Sequence, residues 1–133
     1  MFGFNKIHFI LYVENQQLST GFYEKILQKK AQLNVPGMSE FVLADNIVLG
    51  LMPNTGIVKI LKDKTPAPQT GTGIPRCELY LYSDQIDLEF KRIAGLNIEM
   101  ISPLEERNWG DKAFYFSDPD GHIIAFAQKI LIP

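Results

Sequence analysis

One stretch of this chain occurs twice. His-Phe-Ile-Leu-Tyr-Val-Glu-Asn-Gln-Gln-Leu at 8–18 is echoed 70 positions later by Glu-Leu-Tyr-Leu-Tyr-Ser-Asp-Gln-Ile-Asp-Leu at 78–88. Leu11, Tyr12 and Leu18 return as Leu81, Tyr82 and Leu88, and Glu14 returns as Asp84. Each copy is an apolar, β-prone run, then a polar turn, then a helical pattern. A repeated supersecondary unit implies two modules that bury a shared face. Residues at matching positions should then converge on one central site, and His8 and Glu78 are such a pair.

The rest of the chain extends this two-part order. Ile7 to Val13 reads as a strand, Glu14 to Gln17 as a turn, and a helix is predicted from Leu18 or Ser19. Leu18, Phe22, Tyr23, Ile26 and Leu27 make one apolar stripe on that helix. Ala31 to Val35, Phe41 to Ala44 and Ile47 to Met52 are three more strands, the last two joined by the hairpin signal Asp45-Asn46. In the second half, Arg76 to Tyr82 is a strand and Ile86 to Ala94 a helix that Gly95 ends. Ile98 to Ile101 is a strand, and 102–110 a polar loop containing Trp109. Ala113 to Phe116 and His122 to Ala127 are strands around the turn Asp118-Pro119-Asp120-Gly121. The order is β-α-β-β-β, twice. Residues 62–75 carry three prolines and two glycines and read as a linker, dividing a first module, 1–61, from a second, 76–133.

Composition narrows the function classes. At 133 residues, 46% hydrophobic, with nine Phe and five Tyr, the chain can build a real core. A net charge of −2 provides no field for a polyanion, so no nucleic-acid partner is expected. Lys25, Lys29 and Lys30 read as a solvated helix end. Cys77 is the one cysteine, so no internal disulfide can form, and it reads as a buried filler. No apolar run approaches membrane-spanning length, and the expectation is a soluble cytoplasmic protein with no membrane partner. Nucleophile elbows, phosphate loops and His-Glu-x-x-His motifs do not occur.

The segment Trp-Gly-Asp-Lys-Ala-Phe-Tyr-Phe-Ser-Asp-Pro-Asp-Gly-His-Ile-Ile-Ala-Phe-Ala, 109–127, resembles the hairpin signature of the vicinal-oxygen-chelate superfamily. That superfamily includes glyoxalase I, bleomycin- and fosfomycin-resistance proteins and extradiol dioxygenases. His8 to Leu27, with its Phe22-Tyr23 pair, resembles the opening strand and helix of the same family. The resemblance implies an α+β fold of two paired βαβββ modules, forming a curled mixed sheet around a cleft and commonly completed by dimerisation. It also implies a divalent metal on four cleft-facing positions, which fall here on His8, Gly50, Glu78 and Ala125. The alignment of the second and fourth follows from matching Val48-Leu49-Gly50-Leu51 with Ile123-Ile124-Ala125-Phe126. Only His8 and Glu78 can donate to a metal, so the site is incomplete. No tightly bound cofactor is expected, and a divalent ion (Zn, Ni, Mn or Fe) would be held weakly.

Strand alternation assigns the faces. If His8 points into the cleft, so do Ile10 and Tyr12; if Glu78 does, so do Tyr80 and Tyr82. Phe9, Leu11, Val13, Leu79 and Leu81 then pack under the helices. Met52 and Gly50 face Ala125 and Ala127 across the cleft, and Tyr115 and Trp109 complete an aromatic wall. Such a pocket suits a flat or partly apolar ligand. His122 is expected at the surface, and Asp118, Asp120 and Gly121 as turn formers. The leading expectation is a small-molecule-binding protein that sequesters its ligand as a homodimer. The rival is a lyase or isomerase of lactoylglutathione-lyase type that uses His8 and Glu78 as catalytic groups. A third reading is a degenerate module whose dimer surface is its function.

Overall fold

The computed structural model describes residues 3–131. The chain forms two compact units, 1–72 and 73–133. The first runs β1 (Ile7–Val13), α1 (Gln16–Leu27), β2 (Leu33–Val35), β3 (Met38–Ala44), β4 (Ile47–Pro53) and α2 (Asn54–Leu61). The second runs β5 (Glu78–Tyr82), α3 (Ile86–Ala94), β6 (Met100–Glu106), β7 (Asp111–Ser117) and β8 (Ile123–Lys129). Each builds an open four-stranded mixed sheet, in the order β1-β4-β3-β2 or β5-β8-β7-β6. In both, the first strand lies parallel to the last and the remaining pairs are antiparallel. The fold is therefore α+β, with two similar βαβββ modules.

Strand register matches the two copies residue by residue. Ile10 stands beside Gly50 as Tyr80 stands beside Ala125. Across the next pair, Glu40 faces Gly50 as Tyr115 faces Ala125. Glu40 and Tyr115 are thus equivalent positions, although no similarity of side chain marks them.

In the first unit, α1 lies over one face of its sheet. Its start is fixed by Asn15, whose side-chain oxygen accepts the Leu18 amide at 2.9 Å, so the helix begins at Gln16, two residues before its apolar stripe. Tyr23 and Ile26 are buried against Phe41, Leu49 and Leu51. Phe9 shares this face by alternation, yet remains 57% exposed; the expected packing of Phe9 under a helix does not occur. Residues 54–61, to which the sequence pattern assigns no element, form α2, with Ile57 buried. Within 62–75, two short 3-10 turns occur, at Lys62–Lys64 and Pro68–Gly71.

In the second unit, α3 covers a cluster of rings. Phe114 is fully buried and meets Phe90, Phe116 and Phe126 at centroid distances of 5.2, 5.9 and 5.5 Å. The start of α3 is tied to β8 by the Ile86 amide, which donates to Gln128 Oε1 at 3.1 Å. Two expectations are corrected here. The segment 102–110 is not all loop: β6 runs to Glu106, as an edge strand, where Pro103 and exposed carboxylates are tolerated. Cys77 is exposed rather than a buried filler, because β5 begins only at Glu78.

Candidate functional site

The sheet face of the second unit turned away from α3 carries a connected set of polar and aromatic groups. By register, Glu78, Tyr80 and Tyr82 of β5 share this face with Ile123, Ala125, Ala127 and Lys129 of β8. Asp111, Ala113 and Tyr115 of β7 continue it. Three small residues, Ala113, Ala125 and Ala127, form the floor and are fully covered by their larger neighbours.

Asp111 is the centre of this face. Its side chain is fully buried, and its Oδ2 accepts hydrogen bonds from the Tyr80 hydroxyl at 2.6 Å and the Tyr82 hydroxyl at 2.7 Å. The Trp109 indole N–H donates to the Tyr80 oxygen at 2.9 Å. Among the described residues Asp111 Oδ1 has no hydrogen-bond partner; the Lys129 ammonium stands 3.8 Å from it and 5.5 Å from the centroid of the Tyr82 ring. The hydrogen bonds from Tyr80 and Tyr82 hold the carboxyl below its usual range, Lys129 assists, and burial opposes. The Tyr80 phenol is pushed well above its usual value, chiefly by burial and then by its bond to Asp111. In Tyr82 the bond to Asp111 raises the phenol. Both hydroxyls therefore stay protonated and act as donors.

Further along the face, burial and the negative charge of Glu78 raise the Tyr115 phenol, and Arg107 opposes them. The Arg107 guanidinium lies 5.1 Å from the centroid of the Tyr115 ring, pairs with the Glu105 carboxylate at 3.2 Å, and is held by Ser102 Oγ and by the carbonyls of Pro103 and Ala113. It is a fixed cation beside an aromatic wall.

The equivalent face of the first unit is turned away from α1. It carries His8, Ile10 and Tyr12 on β1, Gly50 and Met52 on β4, and Met38, Glu40 and Val42 on β3. His8 Nδ1 lies 3.7 Å from Glu40 Oε2. At the equivalent strand positions, therefore, the first unit carries His8 and Glu40 and the second carries Glu78 and Tyr115. On the helix side, an open groove of about 720 Å³ lies between α1 and β2. Its floor groups are committed to one another: Gln16 Nε2 donates to Ser39 Oγ and to the Val35 carbonyl, and Thr20 bonds Ser39 Oγ.

Of the residues singled out by sequence, Tyr80, Tyr82 and Trp109 are brought together through Asp111, and Tyr115 and Ala125 share their face. His8, Tyr12 and Met52 share the corresponding face of the first unit. Asp111, Glu40, Arg107 and Lys129 were not anticipated. A signal existed for two of them: extending the alternation of Ala113 and Tyr115 back to Asp111, and of Val42 back to Glu40, puts both on these faces.

The four donor positions implied by the resemblance do not fit a resident metal. Ala125 has no donor atom. A Cβ at Gly50 would stand 3.2 Å from both Ile10 Cγ1 and Met38 Sδ, so its neighbours already fill the space a ligating side chain needs. Each sheet offers one donor at these positions, short of the three or four protein ligands of a zinc-type site. Elsewhere, Asp118, Asp120 and His122 hold candidate ligand atoms within 4.8 Å of one another. The turn accounts for this group. Asp118 Oδ1 accepts the amides of Asp120 and His122, and Oδ2 bonds His122 Nδ1 at 2.8 Å. That bond raises the His122 imidazole above its ordinary value, with burial opposing.

Comparison with known proteins gives consistent answers on the fold. The family described as the glyoxalase-like domain matches residues 6–130. A solved structure of a glyoxalase/bleomycin resistance protein/dioxygenase from Nocardioides superposes with a TM-score of 0.74 at 20% identity, covering 98% of this chain and 85% of that one. A lactoylglutathione lyase from Agrobacterium tumefaciens gives 0.67 at 17% identity, covering 92% and 91%. A protein of unknown function from Agrobacterium tumefaciens strain C58 gives 0.76 at 24% identity, covering 98% of each chain. No curated protein sequence matches. At these identities the likeness is one of fold.

Proposed function

The chain belongs to the glyoxalase-like family of the vicinal-oxygen-chelate superfamily, and we propose that it is a small-molecule-binding member, sequestering a flat or aromatic ligand rather than transforming it on a metal. One observation carries this reading. The second sheet presents Tyr80, Tyr82, Tyr115 and Trp109 over a floor of small residues, while two of the four family donor positions are Gly50 and Ala125. Aromatic faces give a planar ligand dispersion and stacking, and Asp111 and Arg107 supply fixed charges that orient it. Met52 and Tyr12 stand on the corresponding face of the first sheet.

In this reading the working form is a homodimer in which modules combine to enclose the ligand. Support comes from β1, an edge strand that leaves Ile7, Phe9, Ile10 and Tyr12 exposed along its length. Bare apolar edges of this kind favour a partner.

The test joins two measurements on protein purified without chelator: metal content, and quenching of Trp109 by a neutral planar probe such as naphthol. Trp109 is the only tryptophan, so its emission reports this face alone. Saturable quenching without stoichiometric metal supports the proposal. Stoichiometric, tightly held Zn, Ni, Mn or Fe defeats it.

The rival reading, a lyase or isomerase using His8 and Glu78 with a weakly held divalent ion, draws support from the contact between His8 and Glu40. A carboxylate at that distance can orient an imidazole. It predicts turnover that vanishes in His8→Ala and Glu78→Gln while the fold survives.

A further inference from the structure

The buried carboxylate of the second sheet is built more completely than a planar neutral ligand requires. Asp111 is fully covered, kept ionised by two phenol donors, and left with one oxygen that accepts no hydrogen bond among the described residues. An uncompensated carboxylate oxygen removed from water is costly unless a cation stands near it. Here the cation is the Lys129 ammonium, 3.8 Å away and seated over the Tyr82 ring. Its side chain is 74% exposed and no hydrogen bond fixes its head, so among the described residues it is a tethered occupant rather than a rigid part of the wall. Trp109, more than half exposed, and Tyr82 stand beside the same point with their apolar surface open to solvent. Aromatic surface beside an anion is the arrangement that recognises alkylammonium groups, because the negative faces of the rings and the carboxylate both attract a weakly hydrated cation.

We propose that this face binds an organic ammonium ion, its charge against Asp111 Oδ1 and its alkyl groups against Tyr82 and Trp109, in the place the Lys129 ammonium now fills. The inference rests on the reading of this sheet face as a ligand site and specifies the class of ligand: a planar or apolar molecule carrying an amine. Lys129 acts as an internal competitor, withdrawing into solvent as the ligand ammonium enters.

The experiment titrates the intact protein with tetramethylammonium chloride and, separately, with uncharged tert-butanol, at constant ionic strength, reading Trp109 emission. The expected result is a saturable response to the cation and none to the alcohol. Lys129→Ala should tighten binding about five-fold, the scale of a surface ion pair, with a thermal melt of the variant checking that the fold survives loss of the cation beside Asp111. Asp111→Asn should abolish it. Equal responses to cation and alcohol, or an unchanged affinity in Lys129→Ala, overturn the proposal. If naphthol quenches Trp109 while the ammonium probe is silent, the cation assignment falls and the ligand site stands; if both are silent, both fall.

Discussion

Replacing Phe114 by Ala tests how the functional face is held from behind. Phe114 and Phe116 project from β7 toward α3, while Asp111, Ala113 and Tyr115 project from the same strand to the other side. Phe114 is fully buried and touches three other rings. A buried phenyl ring removes roughly 150–250 Å² from water, which at about 25 cal/mol per Å² is roughly 4–6 kcal/mol. The retained Cβ returns part of this, giving a loss of about 4 kcal/mol, within the usual range for Phe→Ala in a core. That is roughly a thousand-fold in the folding equilibrium and a large fraction of the stability of a small domain. Urea unfolding followed by Trp109 emission reads the second unit directly. Phe90→Ala is the internal control: Phe90 is half-buried and meets Phe114 alone among the ring pairs described, so its loss should be about half as large. A loss below about 1.5 kcal/mol for Phe114→Ala, or one no greater than that of Phe90→Ala, would refute the assignment of the ring cluster as the support of β7.

Gly50→Ala should stay within about 1 kcal/mol of the parent, because the new methyl meets its two tightest neighbours, Ile10 Cγ1 and Met38 Sδ, at 3.2 Å in side chains that can shift, and relieves a glycine inside a strand; Gly50→Val should lose about 1–3 kcal/mol by overpacking, and thermal melts distinguish the two. The pair of His122 with Asp118 raises the folded imidazole pKa, so its stabilisation is complete below the unfolded value of about 6.5 and is lost as pH rises through the folded one. Melts from pH 5.5 to 8.5 should therefore show a decline that His122→Gln lacks; parallel curves would contradict the pairing.

The pattern of apolar residues was enough to read α3 from end to end, because Ile86 and Ile93 are its buried positions and Gly95 follows its last turn. It was also enough for the equivalence of Gly50 and Ala125, since both sit in nearly continuous apolar strands with one parallel and one antiparallel partner. Strand ends were less legible, and the functional groups lie at them. Asp111 and Glu40 have poor intrinsic strand preference; they become strand residues because Lys129 and Gly50 stand opposite them in the ladder. Pairing partners distant in sequence thus set the boundaries, and a local reading starting from Ala113 or Phe41 stops short of both carboxylates. The strand read at Ile98 to Ile101 stops short of the end of β6 for the same reason: Pro103 argues against a central strand, and only the sheet order reveals that this one is an edge. Exposure of Phe9 and Cys77 is likewise set by how far the helices and β5 extend, which no residue type announces.

The parallel pairing of first strand with last has a consequence for biogenesis. While the chain emerges from a ribosome, Ile7–Val13 has no ladder partner until Ile47–Pro53 has followed it, and Glu78–Tyr82 waits in the same way for Ile123–Lys129. Each half therefore matures in one late closing event, with the earlier half complete before the later one has left the exit tunnel. A nascent chain arrested after residue 110 should carry one finished sheet and one that cannot form, with Phe126 and Ile124 missing from the core they later close.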